Sequence, residues 1–329
     1  MTSSMAGAGD LESAETRELR FVVIVPVLNA EKETEAFLAA LQKQSLAPDI
    51  FLVIDSSSSD RSVEIFKSAG AKVHVIPRSE FNHADTRQMA VNMVEDMDVA
   101  VFLTQDAILA DTDSLKLLLA AFEKAKVGAA YGRQLPRRGA DVFESYVRLF
   151  NYPRHSELRS FADRKKYGFR TCFSSNSYAA YRVCALKQAG GFPSGLISGE
   201  DLSASASILL RGWKLAYVAE SCVFHSHHYT AGAYFRRSFD IGVQHTQMRE
   251  KIQQFGGPER IGVHYVLAEV GYLLKRAPLR IPEALGRNIL RYIGYRLGRV
   301  YQSLPISLVR KLSMHKGFWT YDVRMTAGT

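Results

Sequence analysis

Three apolar runs constrain the fold of this chain more than any other feature. Phe21-Val22-Val23-Ile24-Val25 leads into Pro26-Val27-Leu28-Asn29, and Phe51-Leu52-Val53-Ile54 leads into Asp55-Ser56-Ser57-Ser58-Ser59-Asp60. Val99-Ala100-Val101-Phe102-Leu103 leads into Thr104-Gln105-Asp106. Runs rich in β-branched residues and without polar alternation read as strands buried on both faces, which means a parallel sheet covered by helices. In open parallel sheets, ligands bind outside the carboxyl ends of the strands. Polar clusters at three such ends therefore outline a single crevice.

The segments between these runs supply the helices. Residues 31–44 carry Phe37, Leu38 and Leu41 at helical spacing, and Asp60 sits at an N-cap position before a helix ending near Gly70. A strand over residues 72–76 stops at Pro77, a helix begins near Ala84, and Asp111-Thr112-Asp113 caps a helix over residues 114–126. This order predicts an α/β, Rossmann-like doubly wound, mostly parallel sheet. Residues 136–173 are irregular, aromatic and basic, and read equally as a cover over a substrate or as a loosely patterned helical insert. Further on, Gly190-Gly191-Phe192-Pro193 makes a turn, Gly199-Glu200-Asp201 opens a helix to about Arg211, and residues 214–218 and 222–228 read as two extended pieces.

At 329 residues and 47% hydrophobic, the chain can bury a large core. Cys172, Cys184 and Cys222 have no short metal-like spacing and suggest reduced thiols in a cytosolic setting. No apolar run approaches the length of a membrane span, and residues 1–18 read as a disordered leader. The net charge of +9 is concentrated after residue 230, where sixteen Lys or Arg face six Asp or Glu. A basic region beside a neutral body suggests an anionic partner, or simply a solvated basic face. Its aromatics sit inside apolar helical patterns with no nucleic-acid module, so nucleic acid is not expected.

The crevice offers acids rather than glycines. No Gly-x-Gly-x-x-Gly follows the first strand, which argues against a dinucleotide oxidoreductase, and the Gly-x-x-x-x-Gly-Lys phosphate loop is missing too. Asp55 could accept from a nucleobase or ribose, or equally close a turn. Asp106 beside a diphosphate would imply a shared divalent cation. Arg87, in Phe81-Asn82-His83-Ala84-Asp85-Thr86-Arg87, lies near the first turn of a helix, where it could meet an anion. In Val223-Phe224-His225-Ser226-His227-His228, extended geometry puts His225 and His227 on one face, able to ligate a metal or pair with a carboxylate.

Taken in order, these motifs make the chain resemble the glycosyltransferase family 2 group of GT-A enzymes over about residues 20–232. Pro26-Val27-Leu28-Asn29 resembles the family's Pro-x-x-Asn, and Asp55-Ser56-Ser57-Ser58-Ser59-Asp60 its Asp-Asp-Gly-Ser-x-Asp. Thr104-Gln105-Asp106 stands in the place of its Asp-x-Asp, and Glu200-Asp201, after the Gly190-Gly191-Phe192 turn, in the place of its Glu-Asp. Phe81-Asn82-His83, Leu103-Thr104-Gln105-Asp106-Ala107, Tyr131-Gly132-Arg133-Gln134-Leu135-Pro136 and His225-Ser226-His227 are most similar to the bacterial rhamnosyltransferase branch. Thr104 replaces the first Asp of Asp-x-Asp and leaves Asp106 as the motif's sole acidic metal ligand.

The resemblance implies inverting transfer of L-rhamnose from dTDP-β-L-rhamnose to a lipid-linked oligosaccharide or other glycan acceptor in cell-surface polysaccharide synthesis, including O-antigen. It implies a catalytic domain over residues 19–232 and a basic helical region over 233–329. Pro26, Val27, Asp55, Arg87, Gln105 and Asp106 would hold the nucleotide; Asp106 with His225 or His227 would bind Mg²⁺ or Mn²⁺; Asp201 would be the general base. Alternatives are another nucleotide sugar, such as a UDP-hexose, or a non-catalytic binding protein on the same scaffold. The basic region is expected to dock the enzyme on the inner, cytoplasmic face of a membrane. In a helical projection Ile289, Ile293, Leu297, Val300 and Leu304 share an arc opposite Arg287 and Arg291 and flanked by Arg296 and Arg299, which suits an anionic lipid interface. The same arc could instead pack on the catalytic domain or on a second copy of the chain, as a homo-oligomer.

Overall fold

The structure is a computed structural model that describes residues 19–257 and 259–320. The expected leader over residues 1–18 lies outside the described residues. Nine strands form one sheet: β1 (Phe21–Val27), β2 (Ile50–Asp55), β3 (Lys72–Val75), β4 (Val99–Leu103), β5 (Ile108–Leu109), β6 (Val127–Leu135), β7 (Glu157–Arg159), β8 (Tyr178–Arg182) and β9 (Lys214–Phe224). Their order is β3-β2-β1-β4-β8-β6-β9-β5, with β7 also on β9. β1 pairs in parallel with β2 and β4, and β2 with β3; β8 runs antiparallel to β4 and β6, and β6 parallel to β9. Only the short strands β5, β7 and β8 oppose the common direction.

The unalternating runs are buried on both faces, as their composition requires. Val22 and Ile24 pack into one core, with Phe102, Tyr181 and Leu209, while Val23 and Val25 pack into the other, with Phe37, Phe66 and Leu118. Val27 of β1 is level with Asp55 of β2, and Asp55 with Val75 of β3, so the loops leaving these strands emerge side by side. That register is what gathers the polar clusters.

Two elements differ from the sequence reading. The helix expected over residues 114–126 ends at Ala120, because the chain must turn into β6 at Val127. The first extended piece and the start of the second join in one strand, β9, which ends at Phe224 short of the expected residue 228 and whose register against β6 jumps from Val218 to Cys222. Residues 219–221 form the irregularity that divides them. Gly132 opposite it has no room for a side chain: a Cβ there would lie 2.3 Å from the Tyr178 ring and 2.7 Å from the Ser221 carbonyl.

The basic region packs onto this body through helices Ala231–Gln247, Glu259–Arg276 and Ile281–Arg299. The first and last cross at glycines. A Cβ on Gly298 would sit 2.0 Å from the Phe239 carbonyl, and one on Gly294 2.5 Å from that of Phe235. The expected arc divides: Leu297 and Leu304 pack against Phe239, Val243 and Tyr301, whereas Ile289, Ile293 and Val300 are exposed. Arg287 and Arg291, expected opposite the arc, turn inward and stack on Phe143 at 4.2 Å and Tyr265 at 4.4 Å. Among the described residues no helix is long and apolar enough to cross a membrane.

Candidate active site

A crevice of about 840 Å³ opens at the carboxyl ends of β1, β2 and β4. Pro26, Val27, Leu28, Ser56, Thr104 and Gln105 line one side, and Phe81, His83 and Arg87 belong to a second. The floor is locked by its own loops. Gln105 accepts from the Leu28 N–H at 2.8 Å and donates to the Leu28 carbonyl at 3.1 Å. Asn29, at φ 49°, donates its backbone N–H to Ser58 Oγ and accepts from the Ser59 N–H, both at 2.8 Å. Asp55 is buried, and its carboxylate accepts from the backbone and hydroxyl of Ser58. Asp55 thereby closes the turn, and Ser56 is the neighbour that lines the crevice.

Beyond Gln105, Asp106 meets both expected histidines. Its Oδ2 lies 3.4 Å from His225 Nε2 and 3.7 Å from His227 Nδ1. The three ligand atoms all fall within 4.8 Å of one another. Both histidines lie just past the end of β9, and their imidazoles come together as expected, with the rings 4.5 Å apart and nearly perpendicular.

The protonation of His225 is fixed from behind. Arg148 Nη1 donates to Gln134 Oε1 at 2.6 Å, which settles which end of that amide is the oxygen. His225 Nδ1, 2.9 Å from the same oxygen, must then carry the proton, leaving the Nε2 lone pair aimed at Asp106. Burial keeps His225 below its usual pKa, and burial with the nearby His225 charge brings His227 down to about 4. Burial alone would raise Asp106, but the imidazoles and the Thr104 hydroxyl hold its carboxyl well below the usual range. A carboxylate beside two imidazoles, one of them with its Nε2 lone pair turned inward, is a donor set that fits a divalent metal.

Cations surround this set. Arg137 Nη2 lies 3.5 Å from Asp106 Oδ2 and also donates to the Asp106 carbonyl. Arg148 and Arg237 both act on His227 electrostatically. Gln134, Arg137, Arg148 and Arg237 were not identified from sequence as site residues. The Tyr131–Pro136 motif and the basic character of residues 136–173 were the available signals, but neither shows which side chains converge.

Glu200 and Asp201 open the helix Glu200–Leu210 after Gly199, whose φ of 80° is left-handed. Arg87 does not stand free toward a ligand as expected. Its Nη1 pairs with Glu200 Oε1 at 2.9 Å, both side chains being buried, and donates to the His83 carbonyl at 3.0 Å. Asn176 joins the two acids, giving its amide to Glu200 at 3.2 Å and its backbone N–H to Asp201 at 3.1 Å. Asp201 also accepts from the Leu202 N–H at 2.7 Å. Burial and the adjacent Glu200 charge push the Asp201 carboxyl up to about 7, a value suited to a base at neutral pH.

Comparison with known proteins decides the family. The model of "Glycosyltransferase like family 2" matches residues 19–239. The chain belongs to glycosyltransferase family 2. This glycosyltransferase is 40% identical over 302 residues to the O-antigen chain rhamnosyltransferase RfbN of Salmonella typhimurium, covering 92% of this chain and 96% of that one. It is 41% identical over 300 residues to the O-antigen chain rhamnosyltransferase WbaN of Salmonella anatum, covering 91% and 95%. Its GT-A fold is shared with the mannosyltransferase PcManGT of Pyrobaculum calidifontis, solved with GDP-Man and Mn2+, at a TM-score of 0.59, 16% identity and 88% and 89% coverage. Residues 1–349 of TarS from S. aureus match at 0.53, with 18% identity and 94% and 92% coverage.

Proposed function

We propose that this glycosyltransferase transfers L-rhamnose from dTDP-β-L-rhamnose, with inversion, to a lipid-linked glycan acceptor in O-antigen synthesis. The observation that carries the reading is the Asp106–His225–His227 set beyond the crevice floor, in a chain 40% identical to an O-antigen chain rhamnosyltransferase. Pro26, Val27 and Ser56 form the floor for the nucleoside, with Asp55 and Gln105 setting the loops beneath it. Asp106, His225 and His227 would hold Mg²⁺ or Mn²⁺, which supplies positive charge beside the diphosphate leaving group. Arg137 and Arg148 add fixed charge on the same side.

Asp201 is the general base. Its carboxylate takes the acceptor hydroxyl proton as that oxygen bonds to C1 of the sugar, and the C1–O bond to the diphosphate breaks with its electron pair leaving on the nucleotide. Attack opposite the leaving group converts the β-donor to an α-linkage. Mass spectrometry and proton NMR of products from dTDP-rhamnose, UDP-glucose and GDP-mannose test the reading. Turnover of a UDP- or GDP-sugar in preference to dTDP-rhamnose would overturn the donor assignment.

We also propose that the exposed side of the basic region meets an anionic membrane at the cytoplasmic face. Val263, Leu267 and Leu274 are exposed on one helix, Leu279 on the connection, and Leu285, Ile289, Tyr292 and Ile293 on the next. Two acids of this helix pair are engaged, Glu269 with Asn288 at 2.6 Å and Glu283 with Arg280 and Arg287 at 2.6 Å. Lys275, Arg276 and Arg296 are exposed beside the apolar side chains. A second copy of the chain would bring cations against cations, whereas anionic headgroups complement them.

A further inference from the structure

The third side of the crevice comes from a distant part of the chain. Met314, His315, Lys316, Gly317 and Phe318 line it together with the loops after β1, β2 and β4. This segment is clamped on both flanks. The buried Asp240 carboxylate accepts from the backbone N–H groups of Met314 at 2.8 Å and His315 at 3.2 Å. Ser313 Oγ accepts a further bond from the His315 N–H at 3.0 Å. Beyond the turn, Trp319 is buried beside Tyr301 and Val309.

The clamp sets two side chains at the crevice. His315 meets His83 edge-on at 5.6 Å, and His83 in turn meets Phe81 at 5.1 Å, giving a row of rings along the wall. Lys316 is exposed at the crevice, and among the described residues it makes no ion pair. Arg87, the cation of the second wall, is already neutralised by Glu200. An ammonium with no ion-pair partner among the described residues, on a turn held by these bonds, is a ready partner for an anion entering from the nucleoside floor.

We propose that Met314–Phe318 is a built wall of the donor site and that Lys316 binds the diphosphate of the nucleoside diphosphate, with Asp240 as the positioning residue that holds the wall in place. The inference rests on the donor reading above and deepens it. It assigns part of nucleotide recognition to a region outside residues 19–239, where the family model matches.

Calorimetry in Mg²⁺ with the full chain tests this, using dTDP, dTMP, UDP and GDP as probes. Lys316→Ala should weaken dTDP about tenfold, the scale of one charge-assisted hydrogen bond. It should weaken dTMP less, and leave the melting temperature without nucleotide unchanged. Lys316→Arg should restore most of the affinity, and the dTDP affinity of Lys316→Ala should depend less on salt than that of the parent. Asp240→Asn should also weaken dTDP, and the double variant should lose no more than the larger single loss, because Asp240 acts through Lys316. If the parent binds dTDP and Lys316→Ala binds it within twofold as tightly, the wall proposal is overturned and the donor reading stands. If the parent prefers UDP or GDP, the donor reading falls and Lys316 is judged on that nucleotide by the same criterion. A parent that binds none of the four overturns both.

Discussion

Arg87 and Glu200 form a buried ion pair at 2.9 Å, one residue from the carboxylate of Asp201. Glu200 raises the Asp201 pKa and Arg87 moderates that effect, so the pair would tune the proposed base. With Asp201 near 7, kcat/KM should fall as pH drops below about 7 and the base takes up its proton. Glu200→Gln removes the negative charge and should move this acid limb to lower pH. The same change leaves Arg87 buried without its partner, at a cost of about 3–5 kcal/mol in stability, read by denaturant unfolding.

Asp201→Asn should reduce turnover at least 100-fold, the low end for loss of a general base, while dTDP affinity stays within about twofold. Its stability effect has a definite sign. A carboxyl whose folded pKa is raised is favoured in its protonated form, so its contribution is full below the unfolded value near 3.8 and lost as pH rises through about 7. Relative to the parent, Asp201→Asn should therefore be more stable at pH 8 than at pH 4, by on the order of a few degrees in Tm. An equal Tm difference at both pH values would show that folding does not raise the Asp201 pKa.

Asp106→Ala should weaken dTDP binding in Mg²⁺ far more than in EDTA. Gln134→Ala should lower Mn²⁺ affinity by about 10- to 100-fold, because it frees the His225 tautomer without removing a ligand. Metal titration followed by electron paramagnetic resonance checks both variants directly.

Vesicle flotation tests the membrane surface. Binding to anionic vesicles should weaken with salt and with Leu267→Asp/Ile289→Asp, and neutral vesicles should bind poorly. Point changes suit this test better than truncation after residue 280, which would also remove Met314–Phe318 from the donor crevice.

Gly298→Ala should destabilise the enzyme by about 1–3 kcal/mol, since its new methyl would overlap the Phe239 carbonyl across the helix crossing. Calorimetric unfolding should register the loss, whereas Gly262→Ala, with open space around it, should register none of this steric loss.

What the sequence revealed follows the range of each signal. β1, β2 and β4 were legible because continuous apolar runs carry their own signature, and His225 and His227 because a period of two is local. β8 was not, because Tyr178-Ala179-Ala180-Tyr181-Arg182 has little strand propensity of its own and is a strand by virtue of lying between β4 and β6. The gap read at residues 219–221 proved to be a real irregularity in β9. Arg87 looked like an anion ligand from its place at a helix entry. Its partner Glu200 lies beyond the reach of any local pattern, and so does the Gln134 that fixes His225. The helical projection did set Arg287 and Arg291 opposite Ile289 and Ile293, but a projection only separates faces and cannot say that theirs meets aromatic rings.

The clamp of Asp240 on Met314 and His315 bears on how the enzyme comes into being. On the ribosome, the floor at Pro26–Leu28 emerges early, but the crevice stays open on its third side until the chain beyond Trp319 has cleared the exit tunnel. Nascent chains halted before that point hold the sheet and the acids without an enclosed nucleotide pocket. If the donor reading holds, competence to retain nucleotide is thus a property of synthesis carried past this turn.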